Sequence, residues 1–334
     1  MKNYSVLVTG GAGYVGSELV PELLNKGCKV SVIDLMIYNN SVFKKYENNK
    51  NLCVIKGDIR NIELIEHSIK DIDCFIHLAC ISNDPSFELD PKLGKSINLD
   101  CFLPIVKAVK KSSCKRFIYA SSSSVYGIKN ETNVTEGLSL EPLTDYSKFK
   151  VQCEEILLNE MSSKFLTTII RPSTVCGFSQ RQRLDVVVNI LTAHAYHNKK
   201  ITILGGTQLR PNIHIKDMVR AYLKIITSEI SKIDGKIYNV GFENYSLNEI
   251  AKIVTNQFKE EIKIENKETN DPRSYHVSSE LIKKELGFES SYSVEQAVKD
   301  LIDSFNKNLL PNAMNDTIYY NVRRMQEFNI PSVL

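Results

Sequence analysis

The chain has 334 residues, and no run of lysine or arginine stands out in it; 42 basic side chains against 39 acidic ones leave a formal charge of only +3. A balance this even gives no broad electrostatic footprint, which argues against nucleic acid or a membrane surface as the main partner. No stretch approaches the roughly 20 apolar residues that a membrane span needs. No secretory leader is read at the start, because Val6-Leu7-Val8 passes at once into a glycine-rich turn and looks like a first strand. Cysteines occur at Cys28, Cys53, Cys74, Cys80, Cys101, Cys114, Cys153 and Cys176 without a C-x-x-C pair, and the six histidines show no ligand spacing. A zinc site is therefore not expected, and no other metal is. The thiols sit in apolar runs such as Leu52-Cys53-Val54, as reduced buried cysteines do, which fits the cytoplasm better than an oxidising compartment. Internal repeats and low-complexity tracts are missing too.

What is there is an ordinary globular composition, 43% hydrophobic and 24% charged, in a chain longer than one hydrophobic core usually serves. The first half alternates β-rich runs (4–9, 29–34, 52–56, 74–78, 116–120, 167–171) with helix-like segments such as 15–25, 93–110 and 147–160. Strands apolar throughout, separated by helices, predict an α/β fold with a Rossmann-type, doubly wound parallel sheet. After Arg171-Pro172 the segments shorten and Gly205-Gly206, Pro211 and Asp271-Pro272 punctuate them. Ser246 with Glu249 and Ser293 with Gln296 read as capping boxes that open two helices. The division expected is a dinucleotide-binding domain over 1–173, with 213–240 returning to it. A smaller C-terminal α/β substrate lobe takes 174–212 and 241–310, and the tail 311–334 has no assigned role.

Between the first strand and the first helix lies Thr9-Gly10-Gly11-Ala12-Gly13-Tyr14-Val15-Gly16. Glycines at this spacing permit a tight turn, let backbone approach a pyrophosphate, and bring helix close to strand. The helix N-terminus adds free N–H groups and partial positive charge. Gly10, Gly13, Tyr14, Val15 and Gly16 are thus candidate cofactor ligands. Asp34 ends the second strand 18 residues beyond Gly16, close to the ~20 expected of a carboxylate on a ribose 2′-hydroxyl. It would repel a 2′-phosphate, and no arginine follows it, so the cofactor expected is NAD rather than NADP.

After the fifth strand comes Ser121-Ser122-Ser123-Ser124-Val125-Tyr126-Gly127, and further on Tyr146-Ser147-Lys148-Phe149-Lys150. Tyrosine and lysine four apart share one helix face. A lone phenol is a poor base at neutral pH, but a lysine ammonium and a positive nicotinamide both favour its phenolate. Tyr146 can then take a proton from a substrate hydroxyl while hydride leaves the same carbon. Each motif alone is common by chance; their order after a dinucleotide fingerprint is not.

These residues resemble the extended short-chain dehydrogenase/reductase family, the nucleotide-sugar epimerases and dehydratases. The likeness covers roughly residues 4–305. Besides the motifs above it is carried by Gly57-Asp58-Ile59, His77-Leu78-Ala79-Cys80, Asn98, Arg171-Pro172, Arg210-Pro211-Asn212-Ile213-His214-Ile215-Lys216-Asp217 and Asp271-Pro272-Arg273-Ser274-Tyr275. The resemblance implies that Asp58 and Ile59 line the adenine pocket, that Leu78, Ala79 and Cys80 pass beside the cofactor, and that Asn98 and Arg171 belong to its site. It makes Ser122 the catalytic serine, Tyr146 the base and Lys150 the ligand of the nicotinamide ribose. Arg210 and Arg273 would grip a substrate diphosphate, for which a guanidinium fork is suited; a solvated or inter-lobe charge is the alternative. Cys80 stands where the family has a small alanine, and Cys176 where tyrosine is frequent.

Relatives that expel water by 4,6-dehydration carry an Asp–Glu pair after the catalytic hydroxyl. Here Ser123 and Ser124 hold those positions, and they are read as substrate contacts. The expected reaction is therefore oxidation or reduction at C4 of a nucleotide-diphosphate sugar, by a 4-epimerase or a 4-dehydrogenase. A 4,6-dehydratase and a non-catalytic NAD-binding sensor are the alternatives. Residues 176–185 resemble a subgroup of bacterial surface-polysaccharide enzymes, among them C4 dehydrogenases of GDP-linked heptoses. In that stretch Arg181 and Arg183 would touch phosphate or sugar, or build a subunit contact. A cytoplasmic homo-oligomer, a dimer or higher, is expected from the resemblance alone.

Overall fold

The computed structural model describes residues 1–38, 41–269, 274, 276–328 and 330–332. Seven strands form the central sheet: β1 (Ser5–Thr9), β2 (Lys29–Asp34), β3 (Leu52–Lys56), β4 (Cys74–His77), β5 (Arg116–Ala120), β6 (Leu166–Pro172) and β10 (Lys236–Val240). Their order is β10-β6-β5-β4-β1-β2-β3, and every neighbouring pair is parallel. The α/β class and the doubly wound parallel sheet read from the strand–helix alternation are both present. Order reverses between β1 and β4, and in such a sheet the crevice outside the strand C-termini at that point receives ligands. Register places Thr9 opposite both Ile33 and His77, so the chain leaves β1, β2 and β4 at one level, into one crevice.

Both sheet faces are covered, which is why the strands are apolar throughout. On one face Leu19, Val20 and Leu23 of the helix Gly16–Asn25 pack with Met218, Tyr222 and Ile225 of the helix Ile215–Thr227. On the other, Phe102, Ile105 and Val109 meet Cys153 and Leu157 of the helix Asp145–Glu160. Full burial of each such side chain is worth roughly 1.5–3 kcal/mol.

The single helix expected over 93–110 is instead a helix Pro91–Lys95, a π-turn Ser96–Asp100 and a helix Phe102–Lys111. Two residues account for the break. The ring of Pro104 cannot accept the carbonyl four residues back, at Asp100, as a helical neighbour. Asn98, inside the widened turn, points its amide at the main chain of Ile81, accepting from its N–H at 2.8 Å and donating to its carbonyl at 2.9 Å.

Beyond β6 a second, smaller body begins. β7 (Thr174–Cys176), β9 (Leu209–His214) and β11 (Glu243–Ser246) form a three-stranded sheet, and β8 (Lys200–Leu204) pairs in parallel with β12 (Lys263–Lys267). Val188, Leu191, Ile201, Ile250, Val254, Ala297 and Val298 make its core. The capping box at Ser246 is complete: Ser246 Oγ accepts from Glu249 N, and Glu249 Oε2 accepts from Ser246 N at 2.8 Å. At Ser293 only half of it forms, because the Gln296 amide turns forward to Asp300 at 2.7 Å.

Candidate functional site

A cleft of about 390 Å³ lies at the sheet's order reversal, lined from one side by Gly10, Gly13, Tyr14, Val15 and Gly16. Three of its glycines answer different demands. Gly10 has φ +71°, and a Cβ there would stand 2.6 Å from Ala79 N. A Cβ on Gly16 would stand 2.4 Å from Gly11 O, so the close return of the helix start onto the main chain of the turn requires glycine. Gly13 is different: a Cβ would meet only Gly10 O, at 3.1 Å. Packing does not demand glycine at that position, whereas a ligand resting on this backbone does. The turn is a cradle of the kind a dinucleotide pyrophosphate fills.

Asp34 closes the cradle. Its Oδ2 accepts from Ala12 N at 3.0 Å and its Oδ1 from Met36 N at 2.8 Å. Burial raises its pKa, and those two N–H donors act against the rise. Asp58 and Ile59 line the same end of the cleft, with Asp58 paired to Arg60 at 2.6 Å. Leu78, Ala79 and Cys80 line the opposite wall.

At the other end stand Ser122, Ser123, Ser124, Tyr146 and Lys150. Thr144 caps the helix Asp145–Glu160 in a reciprocal box with Ser147, so Tyr146 and Lys150 fall on its first turn and a half, facing the strand ends. Lys150 Nζ donates to Ala120 O at 2.7 Å and lies 5.7 Å from the centroid of the Tyr146 ring. Ser122 begins a 3₁₀ turn, and its Oγ accepts from both Ser124 N (3.1 Å) and Ser124 Oγ (2.9 Å). With its lone pairs occupied, Ser122 has its own proton to give. Tyr146 is half-buried, and loss of water around its phenol pushes its pKa up, joined by the Cys80 thiol and Asp84. Arg183 and a hydrogen bond with Ser122 work in the opposite direction. The protein alone thus favours the protonated phenol, and a cation bound beside it acts in the opposite direction.

Three expected residues lie away from the cleft lining, and a fourth lies outside the described residues. Arg171 is turned into the protein, where Nη2 meets Glu154 Oε2 at 2.6 Å and Nη1 donates to Tyr126 Oη at 2.8 Å. A guanidinium buried beside the catalytic helix is satisfied by a carboxylate before any ligand arrives. Asn98 does not line the cleft either; its amide is spent on Ile81. Arg210 sits on β9 with Nη1 donating to Leu209 O at 3.0 Å, away from the cleft lining. Arg273 lies outside the described residues. Arg181 and Arg183 do line the cleft, Arg183 near Tyr146 and bonded to Ser82 Oγ at 3.2 Å, Arg181 beside Asp34.

Several site residues carried no sequence signal. Tyr38, Ser82 and Asp84 line the cleft; Asp84 sits between the helix cap and the phenol, accepting from Thr144 Oγ1 at 2.5 Å. Asn321, Met325 and Ile330 line it as well, which gives the unassigned tail a place. Of these, only the Ser82-Asn83-Asp84 turn after β4 offers a polar cluster as a signal; the tail residues offer none.

Among known proteins, the model of the NAD dependent epimerase/dehydratase family matches residues 6–241. A bifunctional UDP-glucose 4-epimerase and UDP-xylose 4-epimerase of Pisum sativum is 26% identical over 88% of this chain and 93% of its own. The crystal structure of UDP-glucuronic acid 4-epimerase from Bacillus cereus, in complex with UDP-glucuronic acid and NAD, superposes with a TM-score of 0.83 at 25% identity, covering 91% of this chain and 99% of that one. A dTDP-glucose 4,6-dehydratase from Bacillus anthracis in complex with NAD shares the fold, with a TM-score of 0.81 at 24% identity over 91% and 97% of the two chains. With its glycine cradle, its Asp34 and the family match over most of its length, the chain belongs to the NAD-dependent epimerase/dehydratase family and is an enzyme that uses NAD.

Proposed function

We propose that the protein oxidises and reduces C4 of a nucleotide-diphosphate sugar, as a 4-epimerase or a 4-dehydrogenase. The observation that carries this reading is that Tyr146 and Lys150 line the same cleft as the glycine cradle and Asp34. Bound NAD supplies the hydride acceptor. Gly10, Gly13 and Gly16 would hold its pyrophosphate and Asp34 a ribose hydroxyl, with Lys150 near the nicotinamide ribose.

The chain's own groups handle the proton. Ser122, hydrogen-bonded to Tyr146 in the protein alone, turns its hydroxyl hydrogen to the C4 oxygen when the sugar binds and orients it. Tyr146 Oη takes the proton from that oxygen, and Lys150, already fixed by Ala120 O, favours the charged phenolate. Arg183 adds positive charge on the same side. Elimination of water from C5 and C6 needs an acid and a base of its own, and Ser123 and Ser124 supply neither at neutral pH, which sets 4,6-dehydration behind. The stretch 176–185 supports the narrower reading that the product serves synthesis of bacterial surface-polysaccharide sugars in the cytoplasm. If two copies pair through the helices Phe102–Lys111 and Asp145–Glu160, they bring together exposed Lys107, Lys110, Gln152 and Glu155, a polar seam.

The test is to mix the purified protein with UDP-, GDP- and dTDP-sugars while following the nicotinamide absorbance and the sugar's stereochemistry. An epimerase returns the absorbance to its start and inverts C4; a dehydrogenase leaves NADH behind. No absorbance change and no altered sugar with any of the three nucleotide classes would refute the proposal.

A further inference from the structure

Arg181 carries a buried guanidinium with only one of its five N–H donors in a side-chain hydrogen bond among the described residues. The residue is 3% exposed, and Nη2 donates to Asn321 Oδ1 at 2.6 Å. Its guanidinium carbon lies 3.6 Å from the centroid of the Tyr38 ring, close enough for cation–π attraction. Nε has no hydrogen-bond partner among the described residues, although it is fully shielded. A cationic donor buried without an acceptor is costly, and a fold retains one where something else completes it.

Its neighbours indicate what that is. The main-chain N–H of Arg181 donates to Ser17 Oγ at 3.2 Å, in the first turn of the helix Gly16–Asn25. Asp34 and Arg181 feel each other's charge, and both line the cleft. A pyrophosphate rests at the first feature and an adenosine ribose at the second. Both offer oxygen acceptors. The nucleotide sugar's reacting carbon belongs at the other end, beside Tyr146.

We propose that Arg181 is a ligand of NAD, its guanidinium giving an N–H to an oxygen of the adenosine diphosphate half, and that residues 317–328 and 330–332 of the C-terminal segment hold it in place. That assignment moves Arg181 from the sugar to the cofactor, and it rests on reading the cleft as the NAD site. The segment is built as a seat. Tyr319 O accepts from Leu184 N at 2.8 Å, and Asn321 N donates to Asp185 Oδ2 at 2.9 Å. Asn321 Nδ2 reaches Ser82 Oγ at 2.9 Å, on the far wall of the cleft. Arg324 Nε donates to Ile37 O at 2.5 Å, and Pro331 O accepts from Arg60 Nη1 at 2.8 Å. Met325 and Ile330 complete the wall with apolar surface. The tail therefore crosses the adenosine half of the groove and is bonded on both sides of it.

The experiment strips the cofactor from the full-length protein and titrates NAD back by calorimetry, with the nucleotide-sugar KM measured in parallel at saturating NAD. Arg181→Met is expected to weaken NAD binding on the order of 10- to 100-fold, the loss of one charge-assisted hydrogen bond, with the sugar KM changed less than about twofold. Asn321→Ala, which keeps the guanidinium but removes its seat, is expected to weaken NAD in the same direction by a smaller factor. Parent-like NAD affinity in Arg181→Met overturns the inference, as does a raised sugar KM with NAD affinity intact. If Arg181→Met does not fold, Asn321→Ala decides, and unchanged NAD affinity there overturns the inference too. A parent protein that binds no NAD at all would instead defeat the reading of the cleft itself.

Discussion

Arg171 and Glu154 form an ion pair 2.6 Å long in which each side chain is only 3% exposed. Glu154 lies one turn beyond Lys150 on the same helix, and its other oxygen accepts from the hydroxyl of Ser121, which directly precedes Ser122. The pair thus ties the helix carrying Tyr146 to the strand end carrying Ser122. Removing one partner strands a buried charge, so Arg171→Met is expected to cost about 3–5 kcal/mol. Urea denaturation measures it. A loss below ~1 kcal/mol would mean that the pair is not the tie described, since that is the scale of an exposed bridge.

Gly10 and Gly13 should respond differently to the same substitution. Gly10→Ala places a methyl 2.6 Å from main-chain Ala79 at a left-handed φ, and a loss of about 1–3 kcal/mol in folding stability is expected with loss of NAD. Gly13→Ala meets only one carbonyl at 3.1 Å, so the fold should persist while cofactor binding falls. Thermal melting with and without added NAD separates the two. A Gly13→Ala protein that binds NAD like the parent would remove the cradle from the account.

His77 gives the fold an acid limit. Its ring lies among Phe75, Phe102 and Tyr119, with Nδ1 2.8 Å from Thr9 Oγ1, and burial lowers its pKa from the ordinary 6.5 to about 3. The folded state keeps the ring neutral, while the unfolded chain takes a proton below pH 6.5. Its stabilisation is therefore complete above that pH and is lost as pH falls from 6.5 toward 3. Between pH 7 and 5 this amounts to about 2 kcal/mol. His77→Phe should flatten that part of the stability–pH curve; an unaltered slope would show that the ring is not held neutral.

The sheet was legible because strand and helix periods alternate and β1 runs straight into its glycines. Tyr146, Lys150 and Asp34 were legible because local spacing fixes their positions, two on a helix face and one at a strand end. Arg171 and Asn98 turn away from the cleft lining for a reason of the opposite kind. Both stand at expected positions in the chain, but where their side chains turn depends on partners far away in sequence, Glu154 and the Ile81 main chain. The tail was opaque for the same cause: nothing within 317–332 indicates that Asn321 meets Arg181 140 residues earlier. Helix 93–110 breaks at 96–101, the turn before Pro104, whose signal is present in the sequence and overridden by apolar periodicity.

The account depends above all on Tyr146 as the group that accepts the C4 hydroxyl proton. Tyr146→Phe keeps the ring and removes only the oxygen, so NAD and sugar affinities should hold while the single-turnover rate of the nicotinamide absorbance change, followed by stopped flow with a turned-over nucleotide sugar, falls about 10²–10⁴-fold. A Tyr146→Phe protein that reduces its NAD at the parental rate would contradict the mechanism outright.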